Sequence, residues 1–109
     1  MSQYKYEYLV TVPDVPNAPE KRLAARPTHL ANLKPRIESG QIVFGGATLA
    51  QQPADGGAPE MTGSVMLIKA NSEQEVRELI EGDEYAKAGA WDVGKATITA
   101  FRCAVRTAM

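Results

Sequence analysis

The stretch "TGSVMLIKANSEQEVRELI" (Thr62–Ile80) decides the fold, because a strand pattern in it leads directly into a helix start. The segment Thr62–Ala70 indicates a strand bounded by loop residues. Ser72 and Glu75 then form an S-x-x-E capping box, in which each side chain satisfies the other's free backbone donor. The apolar stripe of the helix that follows consists of Val76, Leu79 and Ile80. The stretch therefore predicts a strand followed by an amphipathic helix.

Upstream, the sequence predicts another strand and another helix. Tyr6–Pro13 ("YEYLVTVP") is rich in aromatic and β-branched residues, which favours a strand. The proline-rich segment after it predicts a loop, and Pro27 fits the first turn of a helix. Pro35 is expected to kink or shorten the last turn of this helix, and Gly40 to end it. Its predicted buried stripe consists of Leu30, Leu33 and Ile37, which recur at helical spacing.

The remaining elements complete a β-α-β-β-α-β order. Gln41–Thr48 and Ala96–Val105 indicate strands two and four, and the segment between strands two and three is too long for a tight hairpin. The second helix ends at Gly82, and Asp83 can cap a further short turn. This order predicts an α+β fold of the ferredoxin-like type, with two helices on one face of a four-stranded antiparallel sheet.

Both faces of the predicted sheet carry aliphatic side chains. Ile42 and Val43 point to opposite faces, and so do Leu67 and Ile68. In a sheet with one solvated face, the side chains on that face would be mostly polar. We therefore expect a second copy of the chain to cover the open face, which gives a homodimer with sheets packed face to face.

Length and charge limit the classes of function. The 109 residues fit one domain, 1–109. The net charge of -1 argues against nucleic-acid or anionic-membrane partners, and the sequence has neither a membrane-length apolar run nor an apparent signal peptide. Cys103 is the only cysteine, so a reducing, cytoplasmic setting is expected. One histidine and one cysteine argue against a structural zinc site, and no cofactor motif is present.

His29 is the only histidine, and two interpretations of it stay open. Histidine titrates near neutral pH, so it can act as a general base when a carboxylate fixes its tautomer. A position in the first turn of the helix would keep it neutral, because the positive end of the helix dipole disfavours imidazolium. Alternatively, it is a core or interface histidine bonded to a backbone carbonyl.

Other candidate residues carry a functional and a structural interpretation side by side. Arg26 can hold an anionic substrate or pair with a surface glutamate, and Asp83 can be a helix cap or a buried partner of His29. The "FGGA" segment with Gly45 and Gly46 marks a close backbone approach. The remaining candidates, each explained equally well or better by ordinary packing, are Ser64, Tyr85 and Trp91.

Several stretches together resemble the YCII-related proteins. The most specific are "KRLAARPTHL", the "TGS" at strand three and the Asp-x-Tyr of "GDEYAKAG" with its following glycine. The resemblance spans nearly the whole chain and implies a dimeric α+β barrel of ferredoxin-like subunits. It also implies a His–Asp active site, with His29 from the R-P-x-H-L motif and Asp83 from D-x-Y. Pro35 and Glu84 depart from the family pattern, which usually has proline after the aspartate.

The resemblance implies small, cofactor-free proton-transfer chemistry. Relatives of this barrel include a dehydrochlorinase of a chlorinated hydroxyquinone, lactone isomerases and polyketide-tailoring cyclases. We therefore expect a lyase or isomerase of a small oxygenated, aromatic or polyketide-derived metabolite. In such an enzyme, a developing oxyanion would be stabilised by Arg26 and by backbone donors near Gly45, Gly46 and Ser64. The alternatives are a non-catalytic ligand-binding dimer and a structural interaction module, since one fold hosts many functions.

Overall fold

The computed structural model describes residues 3–108 and confirms the predicted α+β fold. One antiparallel sheet has the strand order β2-β3-β1-β4, which is the ferredoxin-like topology. The strands are β1 (Tyr6–Pro13), β2 (Ile42–Leu49), β3 (Met61–Ala70) and β4 (Thr97–Phe101). The α-helices are α1 (Ala18–Glu38), α2 (Glu73–Glu81) and the four-residue α3 (Glu84–Lys87), and a 3-10 turn spans Val93–Lys95.

The core lies between the helices and one face of the sheet. Val10 of β1 pairs with Met66 of β3, and both side chains are buried on this face. From α2, Val76 and Ile80 are buried in the same cluster, as the capped helix pattern predicts. The Glu75 N–H donates to the Ser72 side chain at 3.1 Å and so fixes the start of α2.

The opposite face of the sheet is also apolar at its centre. Leu67 of β3 lies directly opposite Leu9 of β1 and Phe44 of β2, so the three side chains share this face. Leu67 is fully buried but lies outside the cluster under the helices, and Phe44 is 47% exposed. Apolar side chains therefore occupy both faces, as the alternation pattern predicts.

The first helix begins earlier than predicted. It starts at Ala18, after Asn17 in a left-handed conformation, so Pro27 lies inside the helix and not in its first turn. A proline inside a helix frees the carbonyl four residues earlier. For Pro27 and Pro35 these carbonyls belong to Leu23 and Ala31, which are exposed, so water can satisfy them. The helix therefore continues through both prolines.

The buried stripe of α1 was also predicted wrongly. Leu30 and Ile37 are 49% and 55% exposed, and Leu33 is only partly buried. The residues that α1 buries are instead Ala18, Arg22, Ala25 and His29. At the other end of the chain, β4 is shorter than the predicted Ala96–Val105. The predicted strand two is displaced by one residue at each end.

Gly63 occupies a position where β1 and β3 approach each other too closely for a side chain. A Cβ atom there would lie 2.5 Å from the Val12 carbonyl oxygen and 3.0 Å from the Pro13 Cα. Both contacts are with backbone, which cannot move aside without disturbing the ladder. The glycine of the "TGS" motif is therefore a steric requirement of the sheet.

We expect Gly63→Ala to lower the free energy of unfolding by about 1–3 kcal/mol, because overpacking displaces the adjoining strand. Urea denaturation would measure the loss. The control is Gly46→Ala, since no heavy atom lies within 4 Å of a Cβ at that position. Equal stability of the two variants would contradict this account of Gly63.

Candidate active site

A groove of about 870 Å³ runs between α1 and strands β2 and β3. Its polar lining is concentrated in a few side chains, among them Arg22, Arg26, His29, Glu60 and Ser64. Much of the rest is apolar, including the flank of α1 that was expected to be buried. That apolar lining includes Leu23, Leu30, Leu33, Ile37, Ile42 and Met66.

His29 and Asp83 form a buried pair at this groove, although 53 positions separate them in the sequence. The distance from His29 Nδ1 to Asp83 Oδ1 is 2.8 Å, and the two side chains are 10% and 6% exposed. Packing of α1 against α3 brings the two residues together. His29 lines the groove, whereas Asp83 lies behind it and is not part of the lining.

Asp83 has a second contact that fixes its carboxylate. The Tyr85 N–H donates to Asp83 Oδ1 at 2.8 Å, so Asp83 is the N-cap of α3. The two alternatives for Asp83, helix cap and partner of His29, are therefore both present in one side chain. The same oxygen accepts both hydrogen bonds, and Glu84 is the first residue of the short helix that follows.

The contact with Asp83 determines which ring nitrogen of His29 is free. An ionised carboxylate only accepts hydrogen bonds, so Nδ1 donates and carries the proton. Nε2 then keeps its lone pair, and no hydrogen-bond partner for it occurs in residues 3–108. The predicted effect of the helix dipole is wrong, because His29 lies about three turns into α1 and not in its first turn.

Two aromatic side chains hold the imidazole ring in place. The Tyr85 ring stacks on His29 with a centroid distance of 3.8 Å and an interplanar angle of 10°. The Trp91 ring contacts the same imidazole edge-on, with a centroid distance of 6.1 Å. Both aromatic residues are buried and line the groove. The ring is therefore restrained by packing as well as by its hydrogen bond to Asp83.

A second buried cluster, centred on Arg22, was missed in the sequence. Arg22 Nε donates to Asp14 Oδ2 at 2.7 Å, and Nη2 donates to the Gly63 carbonyl at 2.7 Å and to Ser64 Oγ at 2.8 Å. The signal was available: Arg22 and His29 are seven residues apart, which places them on one helix face. Because Pro27 was predicted to lie in the first turn of α1, Arg22 was not placed on this helix.

The other candidate residues also border the groove. Arg26 is exposed there and forms no ion pair within the part of the chain that the structure describes. Gly45 and Gly46 lie on the edge strand β2 opposite Met66 and Val65. Ser64 is in a central strand, so its backbone is engaged in the sheet and its side chain faces the groove.

Residues 3–108 contain neither a metal-binding cluster nor a membrane-spanning helix. No group of three or more His, Cys, Asp or Glu side chains is arranged to hold a metal ion. No helix there combines the length and the apolar character that crossing a membrane requires.

One known protein family matches most of the chain. The model of the YCII-related domain matches residues 6–97, and the chain therefore belongs to the YCII-related family. The match contains both the His29 and the Asp83 segments.

Several relatives are named for biosynthetic systems. Fusaric acid biosynthesis protein 2 of Gibberella fujikuroi is 40% identical over 96 residues, which cover 88% of this chain and 92% of the relative. The "Derivative of benzaldehyde biosynthesis cluster protein C" of Emericella nidulans is 47% identical over 85 residues, which cover 77% and 87% of the two chains. Relatives in this family thus include secondary-metabolite proteins.

A similar solved structure is an enzyme with a small ligand. It is the 5-chloro-2-hydroxyhydroquinone dehydrochlorinase TftG of Burkholderia phenoliruptrix in complex with 2,5-dihydroxybenzoquinone. The TM-score is 0.71 at 28% identity, and the alignment covers 88% of this chain and 93% of TftG. The fold and the relatives together support a role in processing small molecules.

We expect the His29–Asp83 contact to appear as a coupling energy. His29→Ala and Asp83→Ala should each cost about 1–3 kcal/mol of unfolding free energy, because each removes one partner of a buried hydrogen bond. The double variant should cost less than the sum, by about 0.5–3 kcal/mol. Alanine is used at position 83 because the Oδ1 atom of asparagine would still accept from His29 Nδ1, and the loss of the α3 cap cancels in the cycle.

Chemical denaturation of the four proteins would measure this cycle. The control cycle uses the surface pair Lys95–Asp92, whose side chains are 77% and 35% exposed and whose charged atoms are 3.8 Å apart. Its coupling should be close to zero, because exposed ion pairs contribute little. Additive effects of His29→Ala and Asp83→Ala would contradict an energetic coupling between the two side chains.

Proposed function

We propose that this protein is a cofactor-independent lyase or isomerase that uses His29 as its acid–base group. The observation that carries the proposal is the buried 2.8 Å contact of His29 Nδ1 with Asp83 Oδ1 at the wall of a ligand-sized groove. This contact leaves Nε2 as the basic atom on the groove side. The substrate is a small oxygenated molecule, aromatic or polyketide-derived.

The reaction begins with transfer of a substrate proton to His29 Nε2. The electron pair of the broken C–H bond moves toward an adjacent oxygen and forms an enolate or phenolate. In an elimination, the leaving group then departs with its bonding electrons; in an isomerisation, the imidazolium returns the proton to another atom. Asp83 is a positioning residue, because it orients the ring and stabilises the imidazolium without touching the groove.

Charge that develops on the substrate oxygen needs donors in the groove. Arg26 has no ion-pair partner among residues 3–108 and lies at the exposed side of the groove, where it can attract an anionic substrate. Strand β2 is a sheet edge, so alternate N–H groups near Gly45 and Gly46 lie outside the ladder. Donors of this type stabilise an oxyanion when they are held in place before the reaction.

The size and lining of the groove support this substrate class. Its volume of about 870 Å³ falls in the usual range of small-molecule sites, which are largely apolar with a few placed polar groups. The neighbour TftG, whose title names a hydroxyquinone ligand and dehydrochlorinase activity, has the same fold. An oxygenated ring with an apolar portion matches the groove better than a highly charged metabolite does.

Turnover tests the proposal directly. A panel of hydroxylated aromatic and polyketide-type compounds, starting with 5-chloro-2-hydroxyhydroquinone, should contain a substrate for the wild-type protein. On it, His29→Ala should lower kcat by about 10²–10⁴-fold, the usual contribution of a general base. Asp83→Asn should lower kcat by a smaller factor, and the surface variant Thr62→Ala should leave it unchanged.

Unchanged turnover in His29→Ala would refute the catalytic role. Tight binding of panel compounds without conversion would favour the alternative, a ligand-binding dimer that shields a reactive metabolite. The groove alone is consistent with that alternative, so kinetic data decide between the two.

We further propose that the protein is a homodimer in which the apolar face around Leu9, Phe44 and Leu67 packs on its counterpart. Light scattering after size exclusion should give twice the chain mass of 11.8 kDa at micromolar concentration. Phe44→Glu should shift the mass toward the monomer, because it places a charge in an apolar contact. The control Leu23→Glu changes an apolar residue on α1 that is 75% exposed and should leave the mass unchanged. A stable wild-type monomer would contradict the proposal.

A further inference from the structure

Ser64 has an unusual hydrogen-bonding arrangement at the groove. Its hydroxyl oxygen accepts a hydrogen bond from Arg22 Nη2 at 2.8 Å and another from Trp91 Nε1 at 3.1 Å. Guanidinium and indole nitrogens of this kind donate and do not accept. Ser64 is only 7% exposed, yet it lines the groove.

The hydroxyl group has one proton and two lone pairs. Both lone pairs are occupied, so the proton must occupy the remaining direction around the oxygen. No acceptor for it lies among residues 3–108, and the groove is the side of Ser64 that protein does not fill. We infer that Ser64 presents its proton to the groove as an obligatory donor and binds an acceptor oxygen of the ligand, such as a carbonyl, enolate or phenolate oxygen.

The partners of Ser64 keep this donor fixed and strengthen it. Arg22 cannot turn away, because Asp14 and the Gly63 carbonyl hold the same guanidinium at 2.7 Å each. A hydroxyl that accepts a hydrogen bond from a cation is polarised and donates more strongly. Asp14 balances the charge of Arg22, so the cluster offers a strong donor without a net positive charge at the groove.

This inference rests on the proposed function and deepens it by defining the substrate. Tyr85 connects the two sites, because its ring stacks on His29 and lies 5.0 Å from the Arg22 guanidinium carbon. The groove therefore contains a base, His29 Nε2, and a fixed donor, Ser64, around one aromatic cluster. A substrate that suits both has a carbonyl-type oxygen close to the carbon that loses its proton.

Binding of 2,5-dihydroxybenzoquinone, which has such oxygens, tests the donor. We expect Ser64→Ala to weaken its Kd about tenfold in isothermal titration calorimetry, the factor for about 1.4 kcal/mol. The control Thr62→Ala removes a hydroxyl from the same strand outside the groove and should leave the Kd unchanged. An unchanged Kd in Ser64→Ala would overturn the inference.

Trp91 acts through Ser64 as a positioning residue, and a double variant distinguishes this from simple packing. Trp91→Phe should weaken binding of the probe in the wild-type background, because it frees a lone pair and lets the hydroxyl rotate. In the Ser64→Ala background the same change should have a much smaller effect. Equal effects in both backgrounds would mean that Trp91 does not act through the hydroxyl.

A crystal structure of the unliganded protein gives a test that needs no ligand. The third partner of Ser64 Oγ should be an ordered water in the groove. A protein acceptor at that place, or no water within hydrogen-bonding distance, would overturn the inference even if the probe fails to bind. These results are separate from turnover in His29→Ala, so a failure of the catalytic proposal and a failure of the Ser64 donor can be told apart.

Discussion

The architecture of the site depends on the burial of one cation, Arg22. Its guanidinium joins helix α1 to the end of β1 through Asp14 and to β3 through Gly63 and Ser64. A buried ion pair contributes little net stability compared with apolar packing, but removing one partner is costly, about 3–5 kcal/mol. The contact therefore fixes the position of α1 more than it adds stability. It also explains the hydroxyl of the "TGS" motif, whereas the glycine is required by the close approach of β1 and β3.

The position of α1 has a consequence for its apolar residues. With Arg22 and His29 turned toward the sheet, the small residues Ala18 and Ala25 fill the rest of the buried stripe. The larger apolar side chains, such as Leu30 and Ile37, then lie on the adjoining flank of the helix and border the groove. Their exposure is not a packing defect. It provides the apolar wall that an oxygenated ring or hydrocarbon portion of a ligand would contact.

Local signals predicted β1, β3 and α2 well, because these depend on features that neighbouring residues determine. The capping interaction of Ser72 with Glu75 lies within four residues, and strand β1 has the predicted bounds. The start of α1 was predicted wrongly because the proline-rich segment before it resembles a loop. In addition, no simple motif predicts the left-handed conformation of Asn17. The buried stripe failed as well, because apolar spacing alone cannot reveal that an arginine takes the core position and leucines line a groove.

The candidate site, too, could be predicted only in part from local sequence patterns. Family resemblance identified His29 and Asp83 as a pair, whereas spacing alone left Asp83 as either a helix cap or a buried partner. In the structure, the cap is what places the carboxylate: the Tyr85 N–H holds the oxygen that also accepts from His29. Because Tyr85 in turn stacks on His29, one turn of three residues orients the imidazole through its edge and through its face. A short local motif can therefore define a site once tertiary packing brings α1 beside it. This packing depends on Arg22 and Asp14, which the local sequence patterns did not reveal.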